Sequence, residues 1–333
     1  MNVRSPRVTS AAPAGIARCR LGRQDFALDL DRAEGIEGIE RLQLSPADRG
    51  AFGWLLGERE DVPVWSLARL LGRRLDAAPE TALVLVFPAG PLGGRFGVLV
   101  DGVEPLGAPP EAVHPLPSPF LRCGSRGLGG VVVAAGEPLL LLDPEALRPE
   151  RTDAPGSPEP APPGGGGPAA PGPPRLLHDV SRRSGQVLVA DLLARTAGGR
   201  HAALALPAAQ VIEVVGARPI APVPGAPDRL PGLILWRDRA LAVLDPARCA
   251  AGPDRLAADE PPAARFVVAD TGAELVALPV GRGLRFQPLP LPARPLPRSG
   301  SEAPEVLGRY DLGDSELVVL DLARALALAG GSA

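Results

Sequence analysis

The feature that most constrains the fold is an internal repeat, in which the second half of the chain restates the first at a nearly constant spacing. Four pairs of landmarks carry it, at separations of 178 or 179 positions: Gly53 and Gly232, Val64 and Val243, residues 26–28 and 204–206, and residues 140–143 and 318–321. A constant offset over several landmarks is hard to produce by chance in sequence rich in alanine and leucine. The pattern therefore indicates that the chain contains two copies of one domain.

The clearest copy of a repeated element spans residues 230–246, where two apolar runs flank a charged turn and end in Asp245-Pro246. This order predicts a β-hairpin that leads into a helix, because Asp accepts hydrogen bonds from the first free N–H groups of a helix and Pro has no N–H to leave unpaired. Ser66, Asp143 and Asp321 also end an apolar strand and open a short helix. We interpret all four residues as helix caps rather than as catalytic or metal-binding groups, since one of them is a serine.

Length and composition exclude several classes of protein. With 333 residues, 45% of them apolar, the chain is long enough for two domains that each bury a core. The formal net charge is −3 and aromatic residues make up 3%, so we expect no nucleic-acid partner. All 35 basic residues are arginine, which excludes chemistry that needs a lysine. Because apolar runs are short, we also expect no direct membrane insertion.

The cysteines and histidines are few and scattered: Cys19, Cys123 and Cys249, and His114, His178 and His201. Neither set has the spacing of a disulfide framework, a zinc site or a catalytic triad. We therefore expect a protein of the reducing cytoplasm with no metal, no cofactor and no catalytic residue. A β-barrel enzyme is the remote alternative, and its sign would be an acid–base or metal cluster.

Composition divides the chain into four parts. Residues 1–18 are polar and without period, which predicts a disordered tail. Residues 151–184 are rich in Pro, Gly, Ala and charged residues and cannot bury enough surface to fold, which predicts a linker. The two remaining segments, 19–150 and 185–329, are the predicted domains. A linker of this length and composition would leave them tethered with considerable freedom.

Short apolar runs separated by Gly- and Pro-rich turns predict all-β barrels with few long helices. Two strands are expected over residues 19–30 about a turn at 22–25, and hairpins are expected over residues 83–100 and 130–142. Residues 31–44 are ambiguous between a strand and a helical turn.

Two Pro-rich runs occupy corresponding places in the halves. Residues 105–119 contain six prolines and predict an extended connection over the surface. Residues 288–297 predict the same connection in the second half. Their P-x-x-P spacing leaves an SH3 or WW ligand as the alternative.

The turn formed by Trp236, Arg237, Asp238 and Arg239 is the best candidate for an interaction site. Trp and Arg at the tip of a hairpin supply the rigid area and multidentate hydrogen bonds that protein interfaces favour. A solvated turn, with Trp236 packed on its own barrel, agrees equally well with these residue types. Residue chemistry alone leaves the two interpretations open.

Four motifs occur in the same order in each half. They cover residues 26–30, 53–67, 97–103 and 140–143 in the first half, and residues 204–207, 223–227, 232–245 and 317–322 in the second. Their order and spelling resemble the CheW-like coupling domain of bacterial chemotaxis, whose pattern includes FALPL, PGAPxxxxGxxNLRGxxxPVxDL, GLLVDxV and LLLDL. Outside the tail and the linker, nearly the whole chain resembles two CheW-like domains in tandem.

The resemblance implies that each half is a pair of small five-stranded SH3-like β-barrels with short capped helices. It also implies a non-enzymatic adaptor whose partners are the cytoplasmic tip of a chemoreceptor and the regulatory domain of a histidine kinase. The Arg of the family's NLRG sequence lies in its partner-contact region, and Arg237 matches that Arg. Leu235, Trp236 and Asp238 differ from the neighbouring family residues.

The first half departs further from the pattern, since Glu58 stands where the Arg would be and Arg59 follows it. A reversed charge at a contact disfavours the ordinary partner. We therefore expect the two halves to have different partners, and we add Glu58 and Arg59 to the candidate partner-binding residues. The alternative to an ordinary coupling adaptor is a diverged CheW-like scaffold that serves a non-chemotaxis output or competes with the ordinary coupling protein.

Overall fold

The structure is a computed structural model that describes most of both predicted domains. The described residues are 10–11, 15–44, 52–57, 60–73, 81–88, 94–108, 110–123, 127–147, 186–195, 200–250, 265–288, 294–296, 303–313 and 315–331. The predicted linker, residues 151–184, lies outside the described residues, as does most of the predicted tail.

The described part of the first half contains thirteen strands and three short α-helices. The strands are β1 (Ser10–Ala11), β2 (Ile16–Leu21), β3 (Gln24–Asp29), β4 (Gly35–Gly38), β5 (Leu42–Leu44), β6 (Gly53–Leu55), β7 (Val62–Ser66), β8 (Leu83–Phe87), β9 (Phe96–Val100), β10 (Gly102–Pro105), β11 (Ala112–His114), β12 (Leu128–Ala134) and β13 (Glu137–Leu142). The helices are α1 (Leu67–Leu70), α2 (Ser118–Arg122) and α3 (Pro144–Leu147). Two 3₁₀ turns, Leu30–Arg32 and Ile39–Arg41, alternate with β4 and β5, so the ambiguous segment 31–44 contains both kinds of structure.

The described part of the second half repeats this order with eleven strands and two α-helices. The strands are β14 (Gln186–Arg195), β15 (His201–Pro207), β16 (Val211–Gly216), β17 (Gly232–Trp236), β18 (Arg239–Val243), β19 (Arg265–Asp270), β20 (Leu275–Val280), β21 (Leu284–Pro288), β22 (Arg294–Pro295), β23 (Val306–Asp311) and β24 (Ser315–Leu320). The helices are α4 (Pro246–Ala250) and α5 (Leu322–Gly330), and a 3₁₀ turn covers Ala208–Gln210.

Each half has two sheets, and the two halves share one strand order. The first sheets run β1-β11-β12-β13-β3-β2-β10 and β22-β23-β24-β15-β14-β21, and the second run β4-β8-β9-β7-β6-β5 and β16-β19-β20-β18-β17. Without the short edge strands β1, β5, β11 and β22, each sheet has the five strands that the resemblance predicts. The all-β fold with few helices is confirmed.

The repeat landmarks turn out to be strand partners. Gly53 pairs with Val64 in the antiparallel ladder of β6 and β7, and Gly232 pairs with Val243 in that of β17 and β18. Likewise β3 lies parallel to β13, as β15 lies parallel to β24. The constant spacing in the sequence therefore reflects two pairings that each half makes in the same register.

Strand β2 starts at Ile16, and Ile16 and Ala17 are buried, so the first sheet includes residues of the predicted tail. The turn that follows β2 is also shorter than the predicted 22–25 turn. Gly22 adopts a φ of 59°, so the chain reverses over two residues and β3 already begins at Gln24.

Capping side-chain hydrogen bonds are confirmed at two of the four predicted helix caps. Asp245 Oδ1 accepts hydrogen bonds from the backbone N–H groups of Ala247 and Arg248 at 2.9 and 3.2 Å, and Asp321 Oδ1 accepts one from Arg324 at 3.0 Å. Ser66 stands at the N-cap of α1 without a capping side-chain bond. Strand β7 continues through Ser66, and the Ser66 hydroxyl is buried without a hydrogen-bond partner among the described residues.

The Pro-rich run 105–119 is not an extended surface connection. It contains β11 and the start of α2, and Val113, Leu116 and Pro117 are buried. Residues 114–118 of this segment also face the second half across a shared groove.

The two halves pack against each other, contrary to the predicted free tether. The Nε2 of Gln24 donates to the carbonyl oxygen of Pro222 at 2.6 Å, and the hydroxyl of Ser118 donates to Glu274 Oε1 at 2.7 Å. Helix α2 of the first half also packs on α5 of the second. The composition of a linker predicts how freely two domains move relative to each other only when the domains themselves do not bind each other.

Candidate partner-binding site

The candidate site is the two-residue turn between β17 and β18. Trp236 pairs with Arg239 across the hairpin, and Arg237 and Asp238 form the turn with φ values of 45° and 57°. Two successive residues with positive φ are the mark of a type I′ turn, whose twist matches that of the strands. The family pattern has Gly at the second position, where Asp238 is among the few other residue types that tolerate this conformation.

Trp236 is a core residue of its own barrel. Its side chain is 6% exposed and lies in a cluster with Ile234, Leu241 and Phe266. The indole Nε1 donates a hydrogen bond to Glu213 Oε2 at 2.9 Å. The structure therefore favours the interpretation in which this tryptophan packs inward.

Arg237, in contrast, is held at the surface in a fixed place. Its Nη2 lies 2.8 Å from Glu213 Oε2, and the guanidinium carbon lies 4.8 Å from the centre of the Trp236 ring. The side chain is still 68% exposed. A charged group with two supports loses little conformational entropy when a partner binds it.

Asp238 and Arg239 flank this arginine with opposite charges. Asp238 is exposed and Arg239 is half-buried. Within the part of the chain that the structure describes, neither side chain forms an ion pair or a hydrogen bond. Both charges are therefore available to a partner.

Glu58 and Arg59 lie outside the described residues. The residues on either side show that the first half builds this hairpin differently. Strand β6 ends at Leu55 and β7 begins at Val62, so six residues join them where two join β17 and β18. The first half therefore lacks the tight turn that presents Arg237.

Glu213 is the residue of this site that sequence reasoning missed. It lies on β16, more than twenty residues before the turn it supports, and the fold brings the two together. The only sign in the sequence is a single acid inside the apolar run 211–215. An acidic residue within an apolar run indicates that its carboxylate has a hydrogen-bond or ion-pair partner, but the sequence does not identify that partner.

The described cysteines are poor nucleophiles. Burial raises the pKa of the Cys19 and Cys249 thiols to about 12, and it also raises the pKa of the Cys123 thiol. At neutral pH these groups stay protonated, and a protonated thiol does not attack. No helix in the described part of the chain is long and apolar enough to cross a membrane.

The chain contains two domains in tandem, and each domain is made of two five-stranded barrels. The second domain carries a hairpin with Arg237 at its tip. This architecture is that of a repeated β-barrel protein of the interaction-domain type. The family model of the CheW-like domain matches the chain twice, over residues 16–151 and 191–329. The chain belongs to the CheW-like domain family, and its four sheets are the SH3-like barrels of that fold.

A solved structure among the matches is the scaffolding protein TtCheW from Thermoanaerobacter tengcongensis. It is 13% identical, with a TM-score of 0.31, and the match covers 39% of this chain and 89% of that one. A search of curated proteins finds no match. The repeated family match, rather than this likeness, identifies the fold.

Proposed function

We propose that the protein is a non-enzymatic adaptor of a bacterial chemosensory pathway, acting in the cytoplasm. In this proposal it couples the cytoplasmic tips of chemoreceptors to the regulatory domain of a CheA-type histidine kinase by protein–protein contacts. Membership of the CheW-like family supports this role, because such domains are interaction scaffolds that couple receptors to the kinase.

The observation that carries the proposal is the presentation of Arg237. This residue matches the Arg in the partner-contact region of the family, and Glu213 and Trp236 hold it exposed on a tight turn. Arg is suited to this role because its planar guanidinium binds a carboxylate through two parallel hydrogen bonds. We assign the contact to an acidic group on the partner.

The proposal gives the two halves different tasks. The second half offers the arginine-tipped turn, whereas the first half joins the corresponding strands by a longer connection. The first half packs on the second through Gln24 and Ser118. We therefore assign partner recognition to the second half and orientation of that half to the first.

A diverged scaffold with another output is the second candidate. It is favoured by the departures around the arginine, where Leu235, Trp236 and Asp238 replace residues of the NLRG pattern and Trp236 is buried. Such a protein would keep the fold and use another surface. Substitution of Arg237 would then have little effect on its interactions.

The experiment that separates the two candidates is titration calorimetry of the full chain against the kinase regulatory domain and against a receptor-tip fragment. We expect wild-type protein to bind, and Arg237→Glu to weaken binding about tenfold or more, because the reversed charge faces the partner's acid. Arg285→Glu, an equal charge change at an exposed position of β21, is the matched control and should bind as wild type. Equal affinities for all three proteins would favour the diverged scaffold.

A further inference from the structure

A groove lies where the two halves meet, beside the arginine-tipped turn. It has a volume of about 280 Å³. Residues 114–118 of the first half form one wall, and residues 238–241 with Glu274 and Leu275 of the second half form the other. Neither half makes this groove alone.

His114 contributes a polar ring to the lining of the groove. Its side chain lines the groove and is 6% exposed. Within the described part of the chain, no group forms a hydrogen bond with its ring. The ring nitrogens are not among the described side-chain atoms that are sealed from solvent without a partner, so they remain free to donate to or accept from a group that binds in the groove.

The other residues that line the groove are mostly apolar, which indicates that the bound group is attached to an apolar side chain. Leu116 and Leu241 are buried in the walls, and Leu275 is half-buried beside them. Asp238 and Arg239, which have no ion-pair partner among the described residues, stand at one end. An apolar pocket with a few convergent polar groups is the usual form of a binding site.

Glu274 belongs to the junction rather than to the binding chemistry. Its carboxylate accepts the hydrogen bond of Ser118 and lies 3.7 Å from the guanidinium of Arg122. These contacts fix the two walls relative to each other. The groove is thus a built feature of the full chain.

The turn and the groove are continuous, because Asp238 and Arg239 belong to both. Arg237 precedes them and points to solvent. A protein that contacts Arg237 would therefore reach the mouth of the groove without a further change of shape.

We propose that the groove receives an apolar side chain of the partner that contacts Arg237, and that the His114 ring hydrogen-bonds to a polar group next to that side chain. This inference rests on the proposed function, since it takes the partner from it. It makes the first half a direct contributor to binding. Buried anchor side chains in pockets of this kind carry much of the affinity of an interface.

The test follows the histidine signals of the full chain by nuclear magnetic resonance while the kinase regulatory domain, or the receptor-tip fragment, is added. The chain has three histidines, so variants assign each signal. We expect the His114 ring signal to shift on saturation and that of His201, which is exposed at the start of β15, to stay in place.

Affinities of three variants complete the test. His114→Phe keeps an aromatic ring, somewhat larger than imidazole, and removes its nitrogens, and should weaken binding about fivefold. Ala240→Trp fills the groove and should weaken it about tenfold or more. His201→Phe is the matched control and should bind as wild type. Circular dichroism of each variant checks that the fold is kept.

The outcomes separate this inference from the proposed function. If wild type binds, Arg237→Glu weakens binding, and both groove variants bind as wild type with an unmoved His114 signal, the groove inference is wrong and the adaptor proposal stands. If neither partner binds the wild-type chain, both are overturned.

Discussion

At the scale of single residues, neighbouring side chains of the hairpin serve different purposes. Trp236 faces the core of its barrel, and Arg237 lies over the same ring with its charge in solvent. Glu213 joins them, since one of its oxygens accepts from the indole and lies 2.8 Å from the guanidinium. Tryptophan is common at protein interfaces, but Trp236 is buried and fills part of the core of its own barrel.

This division predicts different costs of truncation. Trp236→Ala should lower the free energy of unfolding by about 3 to 5 kcal/mol, because it empties a buried aromatic site. Arg237→Ala should lower it by less than about 1 kcal/mol, because exposed ion pairs contribute little. Urea denaturation followed by circular dichroism measures both. Equal costs for the two variants would contradict the assignment of Trp236 to the core.

The cysteines give a second prediction at this scale. Burial holds the pKa of Cys19 and Cys249 near 12, so their thiolate fraction stays very small until the solution is strongly alkaline. At pH 8 we expect Cys123, the least buried of the three, to react first with a thiol reagent. Cys123→Ser should remove the fast phase. A fast phase that survives this substitution would show that a buried cysteine is accessible.

At the scale of elements, tight hairpin turns organise the sheets. The turn between β12 and β13 places Ala135 and Gly136 at φ values of 51° and 81°, the same arrangement as Arg237 and Asp238. A residue with a Cβ is strained there, because the left-handed region brings Cβ close to the following carbonyl. The burial of strands β12 and β13 offsets the free-energy cost of this strained turn.

Glycine should relieve that strain. Ala135→Gly is expected to raise the free energy of unfolding by about 1 kcal/mol. Ala134→Gly, one residue earlier at the buried end of β12, should lower it by about 1 kcal/mol or more, since glycine there adds freedom to the unfolded chain and removes a buried methyl group. Thermal unfolding of the pair measures the difference. Destabilisation by both substitutions would contradict the account of the turn.

At the scale of the whole molecule, the two halves pack against each other, and each half contributes different residues to the junction. Glu274, directly before β20, faces Ser118 and Arg122 of the first half. The residue directly before the corresponding strand β9 is Arg95, which pairs with Glu34 at 2.6 Å. The first half thus carries a basic residue at the position where the second half presents the acid that contacts α2.

Charge reversal at this junction should separate the halves. Glu274→Arg places a second positive charge beside Arg122, and we expect the radius of gyration from small-angle X-ray scattering to increase because the two like charges repel. Glu137→Arg, the same change at an exposed position of β13, is the control and should leave it unchanged. An unchanged radius for Glu274→Arg would mean that apolar contacts alone hold the halves together.

Much of this molecule could be predicted from the sequence, and the limit has a physical cause. The repeat, the hairpins and the caps at Asp245 and Asp321 follow from local pattern and chain order. The support of Arg237 by Glu213, the inward position of Trp236 and the packing of the halves depend on contacts between distant segments. Local pattern carries no information about which surfaces meet.

The most direct test of the central claim, that the protein links receptor to kinase, is co-sedimentation. Receptor cytoplasmic fragments are tethered to vesicles, the kinase regulatory domain is added in solution, and the sedimented kinase domain is measured with and without the full chain. We predict that the wild-type chain carries the kinase domain into the pellet, that Arg237→Glu does so much less, and that Arg285→Glu matches wild type. A kinase domain that stays in the supernatant at every concentration of wild-type chain would contradict the account.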